Sequence, residues 1–334
     1  PESGATDSVK ALRDQFKSQF DVIVVMNGQV LTKDSVCTDP SLKISPADLT
    51  LEVPADCTLA RPVLIIYGQS AGEHWNLSRL KLSLGRNSQM HLAEWFLGAQ
   101  SGLRSYHCEV QQGAGSRLHW VRVVRDDMSS RFLSFSQVEI ERDAEVVYGL
   151  VQGGSLWTRG EWTVDIRGPG ASAQVLGLNF GREHQHADQR VVVNHWSGQS
   201  QSSQLFKGIL KDRARGVLNG RIFIAPQAQQ VNSSQLNHNL ILSPGAEADT
   251  KPELEIFADD VKANHGASVG RMDENKLFYL MSRGIPRAEA QRVLARAFVE
   301  DVIMKMRSKV LRDLMETSVE EILPDFNAQM EAGQ

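Results

Sequence analysis

The sequence predicts an all-β core with α-helical ends, in which a β-helix or similar solenoid is followed by a C-terminal helical domain. Three observations predict this architecture. Apolar and polar residues alternate over many short segments between about residues 49 and 262, as in RLHWVRVV and FLSFSQVEI. A small-residue motif recurs within that region. From Asp273 onward, the apolar residues recur at helical spacing instead.

Residues 1–48 are predicted to form a small N-terminal element. SVKALRDQFKSQF has the apolar spacing of a short amphipathic helix, and DVIVVMNGQVL contains an apolar strand with a hairpin signal at Asn27-Gly28. The chain begins with Pro1 rather than methionine, so we expect that an N-terminal portion precedes it.

Residues 49–270 are predicted to form the β-helix core. The segments between strands are short and show no helical pattern of about 10 to 15 residues, which argues against a helix-covered parallel sheet. The small-residue motif occurs as GAGS at Gly113, GASA at Gly170, GAEA at Gly245 and GASV at Gly266, which suits coils of roughly 20 to 25 residues. Glycine permits the positive φ of a tight corner, so stacked corners account for the motif. Hairpin turns of a sandwich or barrel would also produce it, and the solenoid is favoured over these alternatives.

Residues 271–334 are predicted to be helical. DENKLFYLMSRG forms a first helix, with Asp273 as its N-cap and Gly284 at its end. Pro286 suits the first turn of a second helix, PRAEAQRVLARAFVEDVIMKMR. The predicted apolar stripe of this second helix consists of Val293, Leu294, Ala297, Phe298 and Val302. A third helix, SKVLRDLMETSVEEIL, ends at Pro324.

The composition argues against several classes of protein. A formal charge of -4 and a pI near 6.2, without any run of lysine or arginine, argue against a nucleic-acid binder. The apolar windows are far shorter than the roughly 20 residues of a membrane-spanning helix, so no membrane contact is expected. Three cysteines, Cys37, Cys57 and Cys108, have no C-x-x-C spacing and fit buried thiols in a reducing compartment.

One histidine pair has a spacing that can hold a metal ion. His184 and His186 in REHQHADQR would share one face of a strand with Asp188. No further ligand is adjacent, so an exposed polar strand is favoured over a metal site. The sequence also lacks a G-x-S-x-G elbow and a phosphate-binding glycine motif, so any nucleotide chemistry must belong to another chain.

A carbohydrate-active lyase or hydrolase is the alternative function that a β-helix leaves open. The carboxylates available for acid and base work are Glu139, Glu141, Asp165 and Asp188. Such chemistry requires two carboxylates at a defined separation, which sequence alone does not give.

The C-terminal part of the sequence is similar to a known family. Residues 218–302 carry the likeness, above all KPELEIFADDVKANHGASVGRMD and FYLMSRGI, and a weaker similarity extends back to about residue 60. On these residues the chain resembles the SufB/SufD family of iron-sulfur cluster assembly scaffolds, and within it the SufD branch. The resemblance implies a right-handed parallel β-helix with flanking helices. Relatives often begin with a longer helical segment, so residues 1–48 are expected to be the remainder of one.

The resemblance also implies partners and a location. A SufB-like paralogue would form a heterodimer through the end of the β-helix, and a SufC-like ABC-type ATPase would dock on the C-terminal helices. A homodimer is possible when the paralogue is absent. The chain would be a non-catalytic scaffold subunit, because ATP hydrolysis belongs to the ATPase. The implied compartment is the bacterial cytoplasm rather than the plastid stroma.

On this resemblance, His265 matches the functional histidine of the family, which is expected at the junction between the paralogues. Iron-sulfur clusters are usually held by about four ligands, mostly cysteine thiolates, whereas this stretch offers one histidine. Some relatives carry a cysteine two residues earlier, where this chain has Ala263. We therefore expect that the chain alone binds no cofactor stably, and that it shares iron or a nascent cluster with its partner. The small neighbours that would let two backbones approach are Ala263, Gly266, Ala267 and Ser268.

Two groups of residues are predicted to contact partners. ELEIF and DDVKAN supply candidates at the last strand edge, namely Glu255, Phe257, Asp260 and Lys262. The first two helices supply candidates for the ATPase surface, namely Leu277, Phe278, Leu280, Met281, Arg283 and Phe298. Two alternatives stay open: the terminal helices cap the strand edge, or they pack back onto the β-helix.

Overall fold

A computed structural model of the chain describes residues 6–46, 48–70, 74–98 and 102–326. Within these ranges, helix α1 (Asp7–Phe16) precedes nineteen strands. The first nine are β1 (Asp21–Met26), β2 (Gln29–Val30), β3 (Lys43–Ser45), β4 (Thr50–Val53), β5 (Val63–Gly68), β6 (His74–Leu84), β7 (Gln89–Leu97), β8 (Gly102–Gln112) and β9 (Arg117–Arg125). The others are β10 (Ser130–Ile140), β11 (Glu145–Gln152), β12 (Trp157–Ile166), β13 (Ser172–Gly181), β14 (His186–His195), β15 (Gln201–Leu210), β16 (Arg215–Ile224), β17 (Val231–Ile241), β18 (Glu247–Ile256) and β19 (Val261–Arg271). The chain then forms α2 (Glu274–Ser282), α3 (Arg287–Met304), α4 (Lys309–Ile322) and a 3₁₀-helix (Leu323–Phe326).

The strands alternate between two sheets, and this alternation defines a β-helix. In the described ranges, the first sheet contains β1, β2 and the odd-numbered strands from β5 to β19. The second sheet contains β3 and the even-numbered strands from β4 to β18. Stacked strands run parallel, apart from the antiparallel pairs β1–β2 and β3–β4. The predicted parallel β-helix with a helical end is confirmed.

Each coil is longer than the small-residue motif suggested. Arg131 in β10 pairs with Trp157 in β12, 26 residues later (157 − 131). Arg215 in β16 pairs with Glu247 in β18, 32 residues later (247 − 215). Strands such as β12 and β14 have 10 residues each. A coil of roughly 20 to 25 residues is too short for two such strands and two corners.

Three of the four glycines that begin the small-residue motif lie at corners of the coils. Gly113, Gly170 and Gly245 lie between strands, whereas Gly266 lies inside β19, so the prediction is wrong at that position. The corners from the second sheet to the first are marked by stacked positive-φ residues, which are Asp56, Asn87, Gly115, Asp143, Gly170, Gln199 and Gln230. Each donates its backbone N–H to the following coil, as Asp143 does to the Pro169 carbonyl at 3.0 Å. Because most of these residues are not glycine, glycine spacing did not reveal the coil length.

The N-terminal element is joined to the solenoid. β1 pairs in parallel with β5, so the first sheet already begins within residues 1–48. The predicted turn at Asn27-Gly28 closes the β1–β2 hairpin, with φ values of 51° and 81°. α1 packs through its buried residues Val9 and Phe16, and the Phe16 ring centre lies 5.8 Å from that of Trp95.

The lumen of the coils changes in character along the solenoid. The earlier coils are filled by a hydrophobic cluster that includes Trp120, Tyr148 and Trp162. This cluster encloses an ion pair, in which Arg122 lies 2.9 Å from Glu94. From β15 onward, the buried lumenal residues of the first sheet include a polar group: Ser202, Gln204, Ser233, Gln235, Asn237 and Asn239.

Helices α3 and α4 cover the outer face of the first sheet. Val299 of α3 and Leu314 of α4 share a buried cluster with outward side chains such as Leu178 of β13. The stripe predicted for α3 is largely wrong, because the buried residues are Ala290, Gln291, Ala295, Val299, Val302 and Ile303. Helix α3 is apolar on two adjacent faces. The periodicity of its apolar residues did not show which of these faces packs against the first sheet. Across the described residues, no helix combines the length and apolar character needed to cross a bilayer.

Helix α2 begins and ends as predicted. The Asp273 side chain accepts hydrogen bonds from the backbone N–H groups of Asn275 at 2.9 Å and Lys276 at 3.2 Å. Gly284, with a φ of 86°, follows the end of the helix. Helix α2 packs mainly against α3, and Leu277 is its buried residue.

Candidate functional site

The solenoid ends in two open strand edges. β18 is the last strand of the second sheet and β19 the last of the first, and no described strand pairs with their outer edges. All residues of both strands are exposed or half-buried. Because α3 and α4 lie along the outer face of the first sheet, the terminal helices leave these edges uncapped. An open edge presents unpaired backbone N–H and C=O groups, which favour pairing with a strand of another chain.

His265 lies in the middle of β19 and faces the lumen. Its register partner in β17 is Gln235, which is 1% exposed inside the lumen. Residues stacked in parallel register project from the same face of a sheet, so His265 points into the lumen above Gln235. Its side chain is nevertheless exposed. The structure thus places a single imidazole at the open end of the lumen between β18 and β19, which is called the mouth of the solenoid below.

Small and polar residues surround this imidazole. Ala263 and Ala267 lie two positions before and after it, on the same face of β19. Beneath them, Asn237 Nδ2 donates a 2.7 Å hydrogen bond to Thr250 Oγ1, which joins the two sheets across the lumen. No bulky lumenal neighbour in β19 shields the ring, so a second chain can reach it.

The rim of the open end carries exposed apolar side chains. Phe257 is 61% exposed and Val269 is 54% exposed. The Phe257 ring centre lies 5.7 Å from that of Phe223, so the ring contacts its own chain while most of its surface stays exposed. Exposed aromatic and aliphatic side chains beside an unpaired strand edge are typical of a protein interface.

The other residues predicted at this edge have polar roles. Glu255 pairs with Arg221 at 2.9 Å on the outer face of the second sheet. The Asp260 carbonyl accepts a hydrogen bond from the Gln230 N–H at 2.6 Å, which continues the corner stack. Lys262 is exposed on the outer face of β19.

A second exposed patch lies on α2. Phe278 is 71% exposed, Tyr279 58% and Met281 39%. The Arg283 guanidinium lies 5.3 Å from the centre of the Tyr279 ring. Sequence reasoning missed Tyr279, although its position beside Phe278 on a short helix was a usable signal.

The remaining residues predicted for the helical surface are less accessible. Leu277 is fully buried, and Leu280 and Phe298 are half-buried. The Phe298 ring lies 4.7 Å from the Lys207 ammonium of β15, so α3 partly packs back onto the solenoid. A partner docking from solvent would meet Phe278, Tyr279 and Met281 first.

The histidine pair at 184 and 186 does not assemble a metal site. Asp188 is ion-paired with Arg159, and His184 lies in the corner before β14, which starts at His186. Nowhere in the part of the chain that the structure describes do three or more potential ligands gather into a metal-binding group.

Three of the four carboxylates considered for carbohydrate chemistry already have partners, among them Asp188 with Arg159. Asp165 accepts hydrogen bonds from Trp196 Nε1 at 2.7 Å and Asn194 Nδ2 at 3.0 Å. Glu139 lies 3.5 Å from the Arg167 guanidinium. Glu139 and Asp165 are register neighbours on the outer face of the second sheet, and the Arg167 guanidinium lies 3.9 Å from Asp165 as well, so both carboxylates are engaged by the same cation.

The cysteines lie in the N-terminal half of the solenoid, far from β19. Cys108 is fully buried in β8, and burial raises the pKa of its thiol well above the ordinary value. Burial and the neighbouring Asp21 carboxylate raise the pKa of Cys37 to about 11. Neither thiol is poised to ionise, and neither stands near His265 to share a metal with it.

Comparison with known proteins identifies the family. Residues 66–298 match the family described as SUF system FeS cluster assembly, SufBD core domain. The chain is 28% identical to the iron-sulfur cluster assembly protein SufD of Escherichia coli over 272 residues, which cover 79% of this chain and 64% of that protein. It is 35% identical to SufD of Bacillus subtilis over 167 residues, covering 49% and 38%. It is 27% identical to the chloroplastic protein ABCI7 of Arabidopsis thaliana over 294 residues, covering 84% and 61%.

The match covers well over half of the chain and includes β19 with His265. The chain spans 64% of the Escherichia coli relative and smaller shares of the other two. The parallel β-helix with its helical end is the fold expected for this family, so the structure and the family match support the same assignment. The chain therefore belongs to the SufB/SufD family of iron-sulfur cluster assembly proteins.

Proposed function

We propose that the chain is a non-catalytic scaffold subunit of a SufBCD-type complex, which pairs with a SufB-like paralogue through the open end of its solenoid. Two uncapped parallel edges, β18 and β19, support this proposal. A paralogue with the same fold would present matching edges, so strand addition would continue both sheets across the junction. Exposed Phe257 and Val269 would be buried at the same time.

His265 is proposed to supply one ligand to iron or to a nascent cluster at this junction. The cluster is cargo for delivery, and this chain alone offers a single imidazole for it. An iron-sulfur cluster takes about four ligands. The side chain of a cysteine or carboxylate on the paralogue would complete the coordination, because the small residues Ala263 and Ala267 let the second chain approach. The open position of His265 is the observation that carries this proposal.

The patch of Phe278, Tyr279 and Met281 on α2 is proposed to receive a SufC-like ABC-type ATPase. α2 begins at Glu274, only three positions after β19 ends at Arg271. A displacement of α2 would therefore pull directly on the strand that carries His265. In this scheme, ATP binding brings two ATPase subunits together, moves the helices and opens the junction to iron or sulfur. Such a complex would work in the bacterial cytoplasm.

The experiment is co-purification of this chain with its candidate paralogue and ATPase, followed by anaerobic reconstitution. The wild-type complex is compared with His265→Ala and with His184→Ala, which removes an exposed histidine distant from the junction. All three complexes should assemble, and only His265→Ala should lose cluster formation. A His265→Ala complex that matures clusters at the wild-type rate would refute the metal role. Failure to co-purify would refute the partnership itself.

A further inference from the structure

A column of amide side chains lies directly beneath His265. Gln204 in β15 pairs in register with Gln235 in β17, and Gln235 pairs with His265 in β19. All three residues project into the lumen from neighbouring strands of one sheet. The residue below them in β13 is Val175, so the polar column starts at Gln204 and ends at the open mouth.

Both glutamines are buried without hydrogen-bond partners. Gln204 and Gln235 are each 1% exposed. Among the described residues, neither the oxygen nor the nitrogen of either amide has a hydrogen-bond partner. Buried polar groups in folded proteins are nearly always paired, so two consecutive unpaired amides beneath an exposed imidazole call for an explanation.

The opposite sheet leaves space for the Gln235 side chain in the coil directly beneath His265. A Cβ atom on Gly220, in the opposite sheet, would overlap the Gln235 amide nitrogen. Because Gly220 has no side chain, the Gln235 amide can extend across the lumen, one coil beneath His265. The Asn237 amide beside it is already engaged with Thr250, which leaves Gln235 as the available group.

We propose that Gln235 positions His265, by accepting a hydrogen bond at Oε1 from one ring N–H when a partner closes the mouth. This bond would fix the tautomer and the orientation of the imidazole, and would direct the other ring nitrogen with its lone pair toward the junction. Histidines that bind metals almost always donate their second ring N–H to an acceptor of this kind. The inference rests on the proposed role of His265 and adds the residue that prepares it.

The test uses the complex with the paralogue, in which only this chain carries ¹⁵N-labelled histidine. The ring ¹⁵N chemical shifts of His265, assigned by their loss in His265→Ala, report its tautomer. We expect one dominant tautomer in the wild type and in Gln235→Glu, which retains an acceptor, and a mixture in Gln235→Leu. Gln235→Leu should also weaken binding of ferrous iron by about 10- to 100-fold. Gln204→Leu removes a buried amide one coil lower and should change neither readout.

An unchanged tautomer in Gln235→Leu would overturn the inference, as would an equal change in Gln204→Leu. The tautomer is measured without iron, so this test is separate from that of the proposed function. If His265→Ala matures clusters normally while Gln235→Leu still mixes the tautomers, the metal role of His265 fails and its positioning by Gln235 stands.

Discussion

Lys207 in β15 donates a hydrogen bond from Nζ to the backbone carbonyl of Phe298 in α3, at 2.7 Å. The same ammonium lies 2.8 Å from Asp301 Oδ1. This lysine ties the second of the C-terminal helices to the solenoid. A force applied to the helical end therefore has a defined polar attachment to the coils near the mouth.

Lys207→Met should loosen this attachment. The hydrogen bond has a charged donor and Lys207 is largely buried, so we expect a loss of about 1 to 2 kcal/mol in the free energy of unfolding. Urea unfolding measures it. Lys309→Met, which breaks an exposed pair with Asp313, is the matched control and should have a much smaller effect. Equal effects of the two variants would argue against a special role for Lys207.

Glu94→Ala should be strongly destabilising, because it leaves the Arg122 charge buried without its partner. Glu94 accepts hydrogen bonds from Trp120 Nε1 at 2.8 Å and Arg122 Nε at 3.0 Å, and both charged residues are almost completely buried. We expect a loss of about 3 to 5 kcal/mol in the free energy of unfolding. The double variant Glu94→Leu with Arg122→Met should recover part of that loss. A single variant as stable as the wild type would contradict this view of the pair.

The stability of the chain should fall on acidification because of His195. Its ring nitrogens contact Ser200 Oγ at 2.7 Å and Ser202 Oγ at 2.8 Å, and burial lowers its pKa from 6.5 to about 4. The unfolded chain thus takes up the proton first, so the stability contributed by the neutral ring is complete above pH 6.5 and is lost toward pH 4. The shift corresponds to roughly 3 kcal/mol. Urea unfolding at several pH values should give a shallower pH slope for His195→Gln, and identical slopes would be inconsistent with a buried neutral imidazole.

Phe278→Ser should weaken binding of the ATPase without unfolding the chain. The ring is 71% exposed, so its loss removes contacts with a partner rather than core packing. If the α2 patch is the docking surface, we expect at least about a tenfold loss of affinity, as for an aromatic residue at the centre of an interface. Isothermal titration calorimetry measures this affinity. Val293→Ser, at a half-exposed position on α3, serves as the control and should bind almost normally.

Ala267→Arg should block pairing with the paralogue. Ala267 lies on the lumenal face of β19 beside His265, and it is exposed in this chain, which therefore should fold normally. A long charged side chain there would keep the second backbone away from the mouth. Size-exclusion chromatography of the mixed subunits measures the loss of the heterodimer. A variant that still forms it at wild-type concentrations would place the junction elsewhere.

The sequence predicted the parts of the fold whose signals are local. The alternating strands, the Asn27-Gly28 hairpin and the capping of α2 by Asp273 follow from the side chains themselves. The coil length was wrong because left-handed corners accept aspartate, asparagine and glutamine, as at Asp143. The packed face of α3 was misjudged because it depends on which outward residues of the first sheet it meets.

Of the candidate site, the sequence could predict His265 but not the residues whose role depends on register or packing. The family resemblance pointed to His265, and the structure adds its position at the lumen mouth. Gln235 could not be singled out, because VNSSQLNHN is polar on both faces of the strand and only the register shows which amide lies under the imidazole. The exposure of Phe278 and the burial of Leu277 likewise depend on how α2 packs against α3.

We propose above that the His265 imidazole is one part of a coordination sphere completed by another chain. The most direct measurement is electron-nuclear double resonance of the reduced, reconstituted complex, with ¹⁵N-histidine only in this chain and an unlabelled paralogue. We predict a ¹⁵N coupling to the cluster in the wild type that disappears in His265→Ala. A wild-type complex without this coupling, or a coupling that persists in His265→Ala, would contradict the claim.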